Sequence, residues 1–268
     1  MTFANIFSKR NRALLRELVV TDFKLRYQGS ALGYAWSLLR PLLLFLILYV
    51  VFVKFLRFGD DVPHFPVYLL LGMVLWNFFT EMTSQSLSSV VSRGDLIRKI
   101  RIPRWIVVLS SSVSALINLT LNLLVVAVFM IINGVHVAYA AVWFPVILAE
   151  IYMFALGMSL LLAAAFVKYR DLSHIWEVVL QALFYLTPIL YPFTRITNEL
   201  LQKLIVLNPM AQAIQDARNV LVTKNTLTIA EVFHTPFARF LPIIFSLGIL
   251  LLGILYFRKE AKYFAENI

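Results

Sequence analysis

Six long apolar stretches constrain the fold of this 268-residue chain more than any other feature of its sequence. A helix that crosses a bilayer needs about 20 mostly apolar residues. The six stretches run Gly33 to Leu56, Pro66 to Met82, Ile106 to Ile132, Tyr139 to Val167, Ile175 to Leu190 and Phe237 to Phe257. Because lipid offers no hydrogen-bond partner to an open backbone, such stretches cross as helices. The sequence therefore predicts an all-α membrane protein with six transmembrane helices.

Composition supports a lipid environment. Hydrophobic residues make up 61% of the chain and charged residues 14%, against roughly 45 to 50% and about 25% in a soluble domain. So few charges cannot cover a water-soluble core. The net charge of +10 does not indicate nucleic acid, because the basic residues flank the apolar stretches instead of forming one soluble face. Cysteine is absent, which excludes disulfides and thiolate metal sites.

The distribution of Lys and Arg predicts the orientation. They concentrate in residues 9–26, 93–104, 168–170 and 258–262, and the positive-inside rule places those regions in the cytoplasm together with both termini. We divide the single transmembrane domain as follows: 1–32 cytoplasmic, 33–190 spans one to five, 191–236 extracytoplasmic, 237–257 span six and 258–268 a cytoplasmic tail.

The N-terminal region reads as an amphipathic helix. Its apolar residues recur at helical spacing among charged ones and are Leu14, Leu15, Leu18, Val19 and Leu25. This pattern predicts an interfacial helix on the inner membrane surface, leading into the first span. The alternative for the charges is a simple cationic anchor.

The predicted loop between spans two and three, Ser92 to Arg104, carries both apolar and basic side chains. Leu96, Ile97 and Ile100 alternate with basic residues before Pro103, where the next helix must begin. A short helix of this kind is suited to docking into a groove on another protein. The alternative, ordinary positive-inside charge, accounts for the basic residues and leaves the exposed apolar ones unexplained.

Two further stretches are too short to cross. Thr197 to Leu207 and Met210 to Val222 are separated by Asn208 and Pro209. They predict two short re-entrant helices before the last span, which the membrane tolerates only where protein or a water-filled cavity lines them. The alternative is an ordinary extracellular loop.

We single out two of the charges that fall within predicted spans. Arg40 lies in the first, and Glu81 is placed near the inner end of the second. Charges at such depth usually face a bundle interior or a cavity. For Arg40 we hold two interpretations, attraction of an entering pyrophosphate and snorkelling to the inner interface. For Glu81 the simplest role is pairing with a nearby Arg.

Four motifs, taken in order, resemble a known family. They are FKLRYQGSALGYAWSLLRPLL (Phe23 to Leu43), LIRKIRIPR (Leu96 to Arg104), KYRDL (Lys168 to Leu172) and LNPM (Leu207 to Met210) followed by Arg218. Together they resemble the permease subunits of bacterial polysaccharide ABC exporters, in the ABC-2 type family that moves O-antigens, capsules and teichoic acids.

The resemblance implies partners and a location. The expected assembly is a homodimer bound to two ATP-binding-cassette subunits in the bacterial cytoplasmic membrane, exporting a lipid-linked polysaccharide. The sequence contains no G-x-x-x-x-G-K-[ST] motif, so it cannot hold a nucleotide phosphate by that route. We therefore expect no cofactor on this chain, with ATP and Mg²⁺ on the partner ATPase, and we do not expect an enzyme.

The resemblance also implies three sets of site residues. The cytoplasmic gate would be the helix Leu14 to Tyr27, the coupling helix would be Asp95 to Arg101, and the outer gate would be Thr197 to Val222. For gating and substrate entry we choose Phe23, Lys24, Arg26, Tyr27 and Arg40, and for coupling to the ATPase Asp95, Leu96, Ile97, Arg98, Lys99, Ile100 and Arg101.

A channel for sugar needs aromatic faces and hydrogen-bonding groups without a tight fixed site. The candidates are Tyr34, Trp36, Tyr49 and Phe52 on the first span and Phe184, Tyr185 and Tyr191 near the fifth. Two other functions stay open. One is export of a drug or small lipid by the same architecture. The other is an intramembrane glycan-modifying enzyme, which would need clustered acid, base or metal groups, whereas the four His residues stand singly near span ends.

Overall fold

A computed structural model describes residues 8–30, 32–59, 61–99 and 102–264. Within them the chain forms the following helices: α1 Lys9–Tyr27, α2 Trp36–Tyr49, α3 Phe65–Ser92, α4 Gly94–Lys99, α5 Arg104–Ile132, α6 Phe144–Lys168, α7 Leu172–Leu186, α8 Glu199–Val206, α9 Pro209–Leu221, α10 Ile229–Val232 and α11 Phe240–Glu260. No strand occurs in these residues. The all-α fold class is confirmed.

Among the residues that the structure describes, five helical segments are long and apolar enough to cross a membrane. They are Gly33–Phe55, Phe65–Ser92, Arg104–Ile132, Tyr139–Lys168 and Pro236–Glu260. The first consists of α2 with a 3-10 turn before it and a π-helical turn, Val50–Phe55, after it. A sixth apolar helix, α7, has 15 residues and is about 22 Å long, less than the roughly 30 Å of a bilayer core. The predicted count of six spans therefore fits approximately.

The second span is longer than predicted. The expected end at Met82 is wrong, because α3 continues to Ser92. Three polar residues after Met82, namely Thr83, Ser86 and Ser89, are buried inside the bundle. The Thr83 hydroxyl donates to the Phe79 carbonyl at 2.8 Å and the Ser89 hydroxyl to the Ser86 carbonyl at 2.7 Å. A hydropathy pattern places the end of the span at such residues. A helix interface in a membrane nevertheless accepts small polar side chains that hydrogen-bond locally.

The fifth span also differs. We predicted Ile175 to Leu190, but α7 begins at Leu172 and ends at Leu186. Thr187 has an extended backbone, as the residue before a proline usually does. Residues 187–190 are buried, and they continue into the protein as irregular chain.

Helix α3 is the centre of the bundle. It packs against α2, α5, α6, α7 and α9. Helix α11 packs against α6 at a close approach of two glycines, where a Cβ at Gly157 would lie 2.6 Å from the backbone nitrogen of Leu250. Helix α1 lies along α5. These packed helices position α7 and α9, which both contact α3.

The two predicted outer helices are present as α8 and α9. Leu200, Leu201 and Leu204 on α8 are exposed, whereas most of α9 is buried. Both helices begin at an asparagine cap, since the Asn198 side chain accepts from the Leu200 amide at 2.9 Å and Asn208 from Met210 at 3.0 Å. The protein lining that a non-crossing helix requires is therefore present around α9.

Candidate functional site

An open groove runs between α3 and α7. Its volume is about 730 Å³. Its lining combines aromatic rings with hydroxyl, amide and carboxylate groups, and consists of Trp76, Thr80, Ser84, Leu87, Ser88, Ser173, Trp176, Glu177, Leu180, Gln181, Phe184 and Tyr185. A surface of this kind offers ring faces to the apolar side of a sugar and hydrogen bonds to its hydroxyls.

The aromatic residues of the groove support one another. The ring centroids of Trp76 and Phe184 are 6.1 Å apart, and those of Phe184 and Tyr185 are 5.3 Å apart in an edge-to-face arrangement. The Trp176 indole donates to the Thr83 hydroxyl at 3.1 Å. Since these rings are held by contacts between two helices, the groove presents its aromatic faces in fixed positions.

The groove contains two of the seven predicted channel residues, Phe184 and Tyr185. Tyr34 and Trp36 are exposed at the start of the first span. Tyr49 and Phe52 contact neighbouring rings, with centroids 5.9 Å from Phe45 and 5.6 Å from Phe58 respectively. The Tyr191 hydroxyl donates to the Tyr185 and Leu186 carbonyls, both at 3.3 Å, and so caps the end of α7. The channel role of all seven stays a prediction.

Most of the groove was not predicted from the sequence. Among the residues without a prediction, Trp176 and Leu180 lie on one row of α7 with Phe184, and Glu177 and Gln181 lie on the next row with Tyr185. Residues four apart share one face of a helix. This repeat is visible in the sequence and could have identified the stripe on α7, although its partner Trp76 on α3 could not be found that way.

The predicted gate residues belong to the C-terminal end of α1 and the N-terminal half of α2. The Phe23 ring lies 6.2 Å from the Tyr34 ring, joining α1 to the start of the first span. Lys24 and Arg40 are exposed, and both interpretations of Arg40 remain. The side chains of Arg26 and Tyr27 lie outside the described part of the structure.

The predicted coupling helix is present as α4. Asp95 is exposed and Leu96 is partly buried, so Leu96 is less exposed than its position among basic residues indicated. The side chains of Ile97, Arg98 and Lys99 are not described, and Ile100 and Arg101 lie outside the described residues altogether. The docking role stays a prediction.

A fully buried arginine joins α9 to α3 and to the chain that follows α7. Arg218 on α9 donates to the carbonyls of Tyr68 at 3.0 Å, Pro188 at 2.6 Å and Ile189 at 2.8 Å. Its guanidinium also stacks 3.6 Å from the centroid of the Tyr68 ring. Because one fork of donors satisfies three carbonyls, α9, α3 and the chain after α7 are held together.

Glu81 is not near the end of its helix. It lies in the middle of α3, and its carboxylate accepts from the Gln85 amide at 2.7 Å and from the Asn118 amide on α5 at 2.5 Å. Neutral amides make both of these contacts, and the pairing of Glu81 with an arginine stays a prediction. A second buried carboxylate, Glu150 on α6, was not predicted, although an acidic residue inside an apolar stretch is a visible signal of an interior position.

Comparison with known proteins supplies the family. The family described as ABC-2 type transporter matches residues 13–222. The O-antigen export system permease protein RfbA of Myxococcus xanthus is 34% identical over 200 residues, which are 74% of this chain and 76% of that protein. A protein of the same name from Klebsiella pneumoniae is 29% identical over 269 residues, covering 98% of this chain and 99% of the relative. Since the family match extends from α1 through α9, this chain belongs to the ABC-2 type transporter family.

Proposed function

We propose that this chain is the permease subunit of an ABC exporter that moves a lipid-linked polysaccharide across the bacterial cytoplasmic membrane. The observation that carries the proposal is the full-length similarity to a relative named as an O-antigen export permease. The groove between α3 and α7 supports it, because its chemistry suits a sugar chain.

The form of the groove also fits a moving substrate. Rings and hydroxyl groups are spread along α7 over three turns, from Ser173 to Tyr185. Each contact with a sugar is individually weak, so a chain can advance from one to the next without being held. Phe184 and Tyr185 would contact the sugar rings, and Glu177 and Gln181 would bond to their hydroxyls.

Substrate entry is assigned to the inner end of the first span. Phe23, Lys24, Arg26, Tyr27 and Arg40 would form the cytoplasmic gate. The exposed ammonium of Lys24 and guanidinium of Arg40 would attract a lipid pyrophosphate, since both groups bind phosphate oxygens through charge-assisted hydrogen bonds.

Energy would come from ATP hydrolysis, with Mg²⁺, on two separate ATP-binding-cassette subunits that dock at α4. A second copy of this chain would complete the channel. Support for the second copy comes from the first span, where only 6% of the apolar window is buried within the chain. Such a helix has apolar faces left for lipid and for another protein.

The proposal is tested by reconstitution. The chain is co-expressed with its ATP-binding-cassette partner, purified as a complex and placed in liposomes with a lipid-linked oligosaccharide. We expect ATP-dependent movement of the glycan, measured as its appearance on the far side by lectin binding. A complex whose ATPase subunit cannot hydrolyse ATP is the control and should give none.

The same liposomes distinguish a glycan exporter from an exporter of drugs or small lipids. If the complex moves a small fluorescent amphiphile and leaves the glycan in place, the chain is an exporter of drugs or small lipids. If no ATPase subunit co-purifies, the assignment to an ATP-driven exporter is wrong.

A further inference from the structure

At the predicted cytoplasmic end of the protein, the Arg93 side chain links the α3–α4 junction to α1 and α5. Arg93 is the residue between α3 and α4, since α3 ends at Ser92 and α4 begins at Gly94. Its guanidinium forms an ion pair with Asp22 on α1 and donates to the Ser110 hydroxyl on α5 at 2.7 Å. The residue next to the predicted coupling helix is thus bonded directly to the predicted gate helix.

This pair is shielded from solvent. The side chains of Arg93 and Asp22 are 18% and 19% exposed, so water and salt weaken their attraction less than at an open surface. Asp22 lies on the face of α1 that also carries the buried Val19. A carboxylate on this packed face is stabilised by the guanidinium, and removing either partner leaves a poorly solvated charge.

The contacts continue beyond the pair toward the first span. Asp22 is followed by Phe23, whose ring meets that of Tyr34 at 6.2 Å. Tyr34 lies in the 3-10 turn Gly33–Ala35 that opens the first span. A displacement of α4 can therefore reach the first span through Arg93, α1 and this ring contact, without passing through the middle of the membrane.

We propose that the Arg93–Asp22 pair is the joint through which movement of α4 displaces α1. Both are positioning residues, and the proposal rests on the proposed function in taking α4 as the docking site of the ATPase. If α1 were only anchored to the bundle, the pair would affect stability alone. If it is the joint, breaking it separates ATP hydrolysis from transport.

The first test measures coupling in the reconstituted complex. Asp22→Asn and Arg93→Gln should each lower the glycan exported per ATP hydrolysed by about three- to tenfold, a size typical of contacting residues, while ATP hydrolysis and complex yield change by less than about twofold. The exchanged pair Asp22→Arg with Arg93→Asp should restore most of the coupling. The control is Lys9→Gln, an exposed charge on the same helix outside the predicted gate segment, which should behave as wild type.

Three results would overturn the proposal. They are single variants with wild-type coupling, an exchanged pair no better than the singles, and a parallel loss of hydrolysis, transport and complex yield. If the wild-type complex itself moves no glycan, the proposed function fails instead.

A second measurement needs no glycan. The chain contains no cysteine, so Leu25→Cys, at an exposed position on α1, introduces a single reactive thiol. Adding ATP to the complex should change its rate of maleimide labelling, and Arg93→Gln should abolish that change. An equal ATP response in both proteins would contradict the joint whatever the cargo proves to be.

Discussion

At the residue scale, buried charges carry the most information about this protein. Arg218 is a fully buried charged side chain, and its three carbonyl partners belong to two segments far apart in sequence, at Tyr68 and at Pro188 with Ile189. Gly72 belongs to the same arrangement, because a Cβ there would collide with the guanidinium, which its hydrogen bonds prevent from moving aside. A small residue on α3 and a large one on α9 thus form one unit.

We predict that Arg218→Lys lowers the free energy of unfolding by roughly 3 kcal/mol, because a single ammonium cannot replace a fork of donors and leaves buried carbonyls unpaired. The measurement is thermal unfolding of the detergent-solubilised chain. Arg195→Lys is the matched control, since Arg195 is exposed and its pair with Asp61 is at 3.4 Å. That change should cost less than about 0.5 kcal/mol. Equal losses in the two variants would contradict a stabilising role of the three Arg218 hydrogen bonds.

A second residue on α9 makes stability depend on pH. Burial raises the pKa of Asp216 to about 6, against the opposing hydrogen bond from Gln212 and the attraction of Arg239. An aspartate in the unfolded chain titrates near pH 4. The folded protein therefore holds a proton that the unfolded chain has already lost, and its stability should be greatest below about pH 4 and decrease as pH rises through about 6.

We predict that Asp216→Asn removes this dependence and stabilises the protein at pH 8 by about 2 kcal/mol, since the neutral amide avoids the desolvated charge. Unfolding temperatures measured between pH 5 and pH 8 test this. Asp61→Asn, at a largely exposed position, should leave the wild-type pH profile in place. A profile that Asp216→Asn leaves unchanged would show that Asp216 is not its source.

At the scale of elements, α7 has two different faces. One lines the groove with Trp176, Glu177, Gln181 and Tyr185, and the opposite one exposes apolar residues such as Ile175. Its helical pattern was readable in the sequence. The sequence did not show which face of α7 meets α3, since both faces carry large apolar side chains.

We predict that Tyr185→Ala combined with Gln181→Ala slows glycan export by about three- to tenfold, through loss of a ring face and of a hydrogen bond to the sugar. Export by the reconstituted complex is the measurement, with its yield as the check on assembly. Ile175→Ala on the opposite face should export at the wild-type rate. Normal export by the double variant would place the sugar path elsewhere.

At the scale of the whole molecule, the charge pattern predicts which side each loop occupies. We expect His136→Cys to react with a membrane-impermeant maleimide in intact spheroplasts and Lys259→Cys to react only after permeabilisation, because Lys and Arg concentrate on the cytoplasmic side. Both positions are exposed, so burial does not confound the comparison. The opposite labelling pattern would mean that the predicted orientation is inverted and that α4 lies outside the cytoplasm.

The sequence by itself determined the fold class, the approximate number of spans, the N-terminal helix α1, the short helix α4 and the pair α8 and α9. These follow from hydropathy and periodicity, which are properties of neighbouring residues and of the surrounding lipid. The tertiary structure decided what depends on contacts between distant residues. It extended α3 to Ser92, shortened α7, brought Trp76 to Phe184 and bonded Arg93 to Asp22. A polar side chain reads as unfavourable in a membrane until the packed helices show which partner satisfies it, and that partner is remote in sequence.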